Sequence, residues 1–148
     1  MSDRFQSLAQ QLLAEHDART PFRPFAASHG IGDLAAAYDA QDALVDLLTK
    51  RSGTVAAGYK IGLTSGRMQA MCGIPHPIGG VVLSDRVLAS GARLDPARYG
   101  RLGIEFEIAV RLARDLPTAG APYAMTDITA AIDAIAPAIE IVDDRAAD

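Results

Sequence analysis

The sequence predicts an α+β fold, with helices first and strands after them. Three observations carry this expectation. Two early segments have helical apolar spacing, and Gly103 to Leu112 alternates apolar and polar residues with a period of two. No regular strand–helix alternation follows, which disfavours a doubly wound parallel sheet. A length of 148 residues suits one domain with a real core. The expected organisation is a single domain over 1–148, helical over 1–54 and strand-rich over 55–148.

Residues 3–15 read as an amphipathic helix, with Phe5, Leu8, Ala9, Leu12 and Leu13 at helical spacing and Ser2 as its cap. Thr20 to Pro24 form a proline-containing connection. The second helix carries Leu34, Ala37, Tyr38, Gln41, Leu44, Val45 and Leu48 on one side. Asp33 caps it and Gly53 ends it. Val55 to Gly62 reads as a strand. Thr64 or Ser65 opens a short helix that stops near Gly73. Two prolines and two glycines predict a loop over Pro75 to Gly80. Val81 to Leu83 and Arg86 to Leu88 are short strand candidates. Thr126 is expected to cap a helix carrying Ile128, Ile132 and Ile135, which Pro137 terminates. Ala138 to Asp143 then reads as a short buried strand.

Hydrophobic residues make up 49% and charged residues 22%, which argues against global disorder. The net charge of -4, without a Lys/Arg cluster, predicts no nucleic-acid partner. It does not exclude an anionic substrate, because a bound cation reverses the local field. Cys72 is the single cysteine, so neither an intramolecular disulfide nor a Cys-rich zinc site is expected. The opening Met1-Ser2-Asp3-Arg4 lacks the features of a secretory signal. No apolar run is long enough to span a bilayer. A cytoplasmic protein without a membrane partner is the expectation.

The candidate chemistry lies in carboxylates. Glu105 and Glu107 are two apart on a strand, so both leave the same face. Alone, the pair also fits the solvent face of a half-buried strand. Glu140 sits in Ala136-Pro137-Ala138-Ile139-Glu140-Ile141-Val142, among apolar neighbours. A carboxylate there requires a metal, an ion partner such as Arg145 or Lys60, or a wet edge. Three carboxylates without His or Cys would make a hard oxygen site, suited to Mg²⁺ or Mn²⁺.

Gly58-Tyr59-Lys60-Ile61-Gly62-Leu63-Thr64-Ser65, followed by Met68-Gln69, resembles a segment of the 2-keto-4-pentenoate hydratase family. Gly103-Ile104-Glu105-Phe106-Glu107-Ile108-Ala109, with Arg114-Asp115-Leu116-Pro117 after it, resembles that family's E-x-E strand and turn. Ala136 to Val142 is similar to its third metal-ligand segment. The family lies in the fumarylacetoacetate-hydrolase-like group, with hydratases and 2-oxo-acid decarboxylases of aromatic catabolism. The resemblance implies a mixed β-roll after the helices, homo-oligomers and a Mg²⁺ or Mn²⁺ centre on Glu105, Glu107 and Glu140. It places Lys60 near a small 2-oxo acid substrate. Two departures stand out. Ile78 occupies the place of an acidic loop residue, for which Asp85 is a nearby substitute. Family members also continue past the third glutamate, so a fragment, a truncated reading frame or a piece of a split protein is expected.

The implied chemistry is a metal-stabilised enolate of a 2-oxo acid. It serves hydration of a 2-hydroxy-2,4-dienoate or 2-oxo-4-enoate, decarboxylation, or a related hydrolase or isomerase reaction. A non-catalytic oligomerising remnant is the reading from another class. Lys60 is the candidate for binding the substrate carboxylate or moving a proton, with an ion pair or a stem across the sheet edge as the alternative. Thr64 and Ser65 are expected to cap a helix, and free amides at its start leave substrate binding open. His16, His29 and His76 are scattered. Cys72, near Met68 and Met71, is assigned to the core. Asp143, Asp144 and Arg145 read as a solvated, mutually paired strand end.

Overall fold

The computed structural model describes residues 5–145, and Ser2 lies outside them. Helices and strands are mixed. They run as α1 (Gln6–Ala18), α2 (Leu34–Ser52), β1 (Ala56–Gly62), α3 (Gly66–Cys72), β2 (Ile78–Leu83), β3 (Leu102–Leu112), α4 (Met125–Ala131) and β4 (Ile132–Asp143). The strands form two antiparallel pairs, β1–β2 and β3–β4. These pairs fall in different compact units. One ends at Arg98 and takes in Arg145; the other is Tyr99–Asp144. No described helix is long and apolar enough to cross a membrane.

The core of the first unit lies between α1 and α2. Phe5, Leu8 and Leu12 bury the apolar stripe of α1 against Ala36 and Ala40, with Phe22, Phe25 and Ile31 from the connection packed around them. Leu44, expected on the apolar side of α2, packs against this core; Ala36 and Ala40 are buried there instead of Leu34 and Ala37, and Leu34 is exposed. The Asp33 carboxylate accepts the Ala36 N–H at 2.8 Å, and Gly53 ends α2 with φ 66°. Both ends of α2 are thus as the sequence predicts.

The end of α1 is tied to the tail of the chain. Arg145 is only 6% exposed. Its guanidinium donates to the carbonyls of Thr20 at 3.2 Å and His16 at 3.3 Å, with a longer contact to that of Glu15. The Glu15 and His16 carbonyls already accept the Thr20 and Arg19 N–H groups, so the cation is a further donor there and opposes the negative end of the helix dipole. Arg145 therefore does not belong to a solvated strand end. Asp143 instead accepts the Gly100 and Arg101 N–H groups at 2.8 and 3.0 Å, and Asp144 stands 3.5 Å from the Arg101 guanidinium.

Four further expectations are corrected. Ile78-Gly79-Gly80 is not loop but the start of β2, paired with Gly62-Ile61-Lys60 of β1. Two contacts from α2 hold it there. The Gly79 N–H donates to the Tyr38 hydroxyl at 2.9 Å, and the Gln41 amide donates to the Gly79 carbonyl at 3.1 Å. Arg86 to Leu88 is not a strand, because Ser84–Arg86 forms a 3₁₀ turn. The helix expected to run to Pro137 ends at Ala131, and its cap position is Ala124 rather than Thr126. From Ile132 the chain is β4, and Pro137 stands opposite Ile108 within it. A two-stranded ladder leaves each strand a free edge, so it tolerates a proline that a central strand would not. The Ala138 to Asp143 part of β4 is half-buried to exposed rather than buried, with Ile139 61% exposed.

Two measurements test this packing. Leu8→Ala removes a fully buried side chain and is expected to destabilise the chain by about 2–5 kcal/mol in urea unfolding. The Arg23 guanidinium, hydrogen-bonded to the buried Glu15 carboxylate, holds that carboxyl below its ordinary value. A carboxyl lowered in the folded state contributes stability above its unfolded pKa and loses it as pH falls through the folded one. Thermal melts from pH 7 to pH 3 should therefore show wild type losing stability more steeply than Glu15→Gln at the acid end. Parallel curves would refute the role of this pair.

Candidate metal centre

β3 alternates cleanly, so Glu105 and Glu107 share one face of the second hairpin. The antiparallel register adds the third acid. Glu140 of β4 stands directly opposite Glu105, and Ala138 stands opposite Glu107. Directly paired residues lie on one face of a sheet. One oxygen from each of Glu105, Glu107 and Glu140 lies within 4.8 Å of the other two. Glu105 and Glu107 are exposed, and Glu140 is half-buried.

The donor set fits a hard dication. Mg²⁺ holds oxygens at about 2.0–2.1 Å, so two ligands across it stand up to roughly 4.2 Å apart. A spread within 4.8 Å closes to that by small side-chain rotations. Ala138 offers no bulk against such movement. Exposed acids also gather without a cation, and their mutual repulsion then weakens the fold.

The same face continues along the hairpin. Ala109 stands opposite Ala136, and Arg111 stands opposite Ala134. The register slips between Arg111 and Leu112, and the Arg111 guanidinium meets the Asp133 carboxylate at 2.5 Å. A bulge of this kind adds one residue to β4 and re-aims its side chain.

Lys60 belongs to the first unit, exposed on β1 opposite Gly80. A Cβ on Gly80 would lie 3.3 Å from Lys60 Cγ, so the lysine stem passes close over Gly80 and a side chain there would require it to shift by a few tenths of an ångström. Ser65 caps α3: its hydroxyl oxygen accepts the Met68 N–H at 3.3 Å, and Gly73 ends the helix. Thr64 is exposed beside it. Leu63, just before them, has φ 55°, a left-handed conformation that a branched side chain rarely adopts. Its carbonyl accepts the Gln69 amide at 2.8 Å.

Other sequence candidates are placed as follows. Ile78 is 38% exposed at the start of β2, and the Asp85 carboxylate accepts the Thr54 hydroxyl at 3.2 Å. Cys72 is exposed and not part of the core; α3 has no buried residue. His29 bonds locally to Ser28 and the Phe25 carbonyl, and His76 to the Pro77 carbonyl. The roles of Tyr38, Gln41 and Arg145 had no sequence signal, because each binds a backbone group far along the chain.

In the presence of a chelator, Glu107→Gln should raise the thermal midpoint, because it removes one charge from a crowded group. An unchanged or lowered midpoint in calorimetry would show that the three carboxylates do not repel one another appreciably.

No family model matches the sequence. Individual proteins do. The chain is 33% identical over 125 residues to 2-keto-4-pentenoate hydratase 2 of Dechloromonas aromatica, covering 84% of this chain and 47% of that protein. It is 31% identical over 150 residues to the 2-keto-4-pentenoate hydratase of Paraburkholderia phymatum, covering 100% of this chain and 56% of the relative. The fold matches a solved 4-oxalocrotonate decarboxylase from Pseudomonas putida G7, complexed with magnesium and adipate. The TM-score is 0.84 at 26% identity, over 97% of this chain and 54% of that one. The chain thus spans about half the length of the relatives it matches. Over that half, the chain is similar to 2-keto-4-pentenoate hydratases and to 4-oxalocrotonate decarboxylase.

Proposed function

We propose that the chain carries the metal-binding part of a divalent-metal-dependent hydratase, a lyase that adds water to a 2-hydroxy-2,4-dienoate or 2-oxo-4-enoate. The observation that supports this most is the convergence of Glu105, Glu107 and Glu140 across the β3–β4 hairpin. In this reading the three glutamates hold Mg²⁺ or Mn²⁺, and no nitrogen or sulfur donor is needed. When bound, the cation supplies fixed positive charge beside the carboxylate and keto oxygens of a small 2-oxo acid.

The remaining roles fall to the chain's own side chains. Lys60 neutralises the substrate carboxylate or moves a proton. The Ser65 hydroxyl accepts a backbone N–H, which leaves its proton for a substrate oxygen; Thr64 offers a second hydroxyl. Ile78 brings no carboxyl to the start of β2, so the acid–base work falls to another residue. The wider expectation is one domain of the mixed β-roll type, assembled as a homo-oligomer. It would act in the cytoplasm in aromatic-compound catabolism, without nucleic-acid or membrane partners.

Decarboxylation of a 2-oxo acid is the second reading. The solved decarboxylase and the 34% identity to the 4-oxalocrotonate decarboxylase of a Pseudomonas species favour it. Both reactions need the same stabilised electron pair next to the 2-oxo group, so the glutamates do not separate them. The related hydrolase and isomerase reactions fall to the same product analysis.

Two experiments test the proposal. Glu105→Gln and Glu107→Gln should each weaken Mn²⁺ binding in calorimetry by at least about tenfold, about 1.4 kcal/mol. Unchanged affinity in both removes the site. The purified chain with Mg²⁺ should bleach 2-hydroxypenta-2,4-dienoate if it is a hydratase and release CO₂ from 4-oxalocrotonate if it is a decarboxylase. Tight Mn²⁺ binding with neither reaction identifies the non-catalytic, oligomerising alternative.

A further inference from the structure

The carboxylate face of the β3–β4 hairpin carries both signs of charge, at separate places. The ladder holds one basic residue, Arg111, and it stands on the same face as Glu105, Glu107 and Glu140. Between Arg111 and the glutamates that face holds only Ala109, Ala136 and Ala138. No side chain longer than a methyl rises from this floor, so a ligand can lie along it. The opposite direction differs. Arg101 stands just before β3, but it is drawn to Asp144 at 3.5 Å, and the pair Gly103–Val142 comes between it and the glutamates.

The Arg111 guanidinium is both held and open. Its Nε donates to the Asp133 carboxylate at 2.5 Å, beside the register slip at the end of the ladder. A guanidinium has five N–H donors in a fixed fork, so both terminal nitrogens keep theirs for a second carboxylate. The Arg111 side chain is 73% exposed. Asp133 offsets part of the positive charge but fixes the plane of the fork, which two-point recognition of a carboxylate needs. An exposed pair of this kind contributes little stability by itself.

We propose that Arg111 is a specificity-determining residue. It binds the far carboxylate of a six- or seven-carbon 2-oxo dicarboxylate whose 2-oxo end lies at the three glutamates. This rests on the metal-site reading given above and adds the class of substrate. Spacing supports it. Glu107 and Arg111 are four residues apart on β3, which puts their Cα atoms about 13 Å from each other. A six-carbon dioate measures roughly 6–8 Å between its end oxygens, and with contacts of about 2.1 Å to a cation and about 2.8 Å to a guanidinium it spans about 11–13 Å. Charge supports it too. Three glutamates alone repel a dianion, whereas a cation among them and Arg111 beyond the alanines oppose one negative group each. A monocarboxylic acid of the same length offers the fork nothing.

Calorimetry with Mg²⁺ present compares 2-oxohexanedioate with 2-oxohexanoate, which has the same carbon chain and a methyl end. The wild type should bind the dioate at least about tenfold more tightly, the scale of one hydrogen-bonded charge pair. Arg111→Ala should remove this preference by weakening the dioate alone, with affinity for 2-oxohexanoate and for Mn²⁺ unchanged. Arg111→Lys should restore only part of it, because an ammonium lacks the fork. Arg101→Ala should leave it intact. The wild-type comparison needs no variant, so a variant that fails to fold does not block the test. Equal affinity of the wild type for the two acids overturns the proposal. So does a preference that survives Arg111→Ala or is lost in Arg101→Ala. In each case intact Mn²⁺ binding leaves the metal reading standing. A wild type that binds neither acid overturns the proposal as well, and its own Mn²⁺ titration then decides whether the metal reading falls with it.

Discussion

The candidate site depends on the register of one ladder. Glu105 meets Glu140 because β3 and β4 pair at that position over a hairpin eleven and twelve residues long. A slip of one residue would turn Glu140 to the other face and put Ile139 or Ile141 beside Glu105. Nothing else in the second unit is so exacting. The alternation of β3 and the run of Ala134, Ala136 and Ala138 in β4 resist such a slip together, since a slipped β4 would bring its isoleucines onto the acidic face. The apolar face and the carboxylate face are thus two consequences of one pairing.

The first unit solves a different problem. Its small core lies between two helices, and long-range polar contacts complete it. Arg145 reaches the carbonyls at the end of α1, and Tyr38 with Gln41 hold the backbone of Gly79. In each case a side chain bonds backbone groups of a segment distant in sequence. The contacts of Tyr38 and Gln41 join the first hairpin to α2.

Much of this was legible from the residues alone. Asp33, Gly53, Ser65 and Gly73 mark helix ends by local chemistry, and local chemistry survives folding. The period of two in β3 is a local property as well, so the shared face of Glu105 and Glu107 could be read directly. Glu140 was suggested by its apolar neighbours, but its position opposite Glu105 is a matter of register, which no single segment encodes. The misreadings share a cause. Pro137, Gly79 and Gly80 look like breakers, and each is accommodated by a partner strand or by α2. Met68, Met71 and Cys72 look like core residues, yet α3 buries none of them. Arg145 looks like one end of a surface pair, although its partners are more than a hundred residues away.

Leu63 has a consequence of its own. Holding a leucine in the left-handed region costs about 1–2 kcal/mol, and the Gln69 amide on its carbonyl helps to offset this. Glycine at 63 would relax the folded turn but widen the choices of the unfolded chain, so net stability would move little. The path of the backbone into Thr64 and Ser65 would change more, because a relaxed joint accepts several directions where the strained one accepts few. At this corner, how firmly the protein folds and how sharply it aims two hydroxyls are separate properties, and selection can act on the second while leaving the first alone.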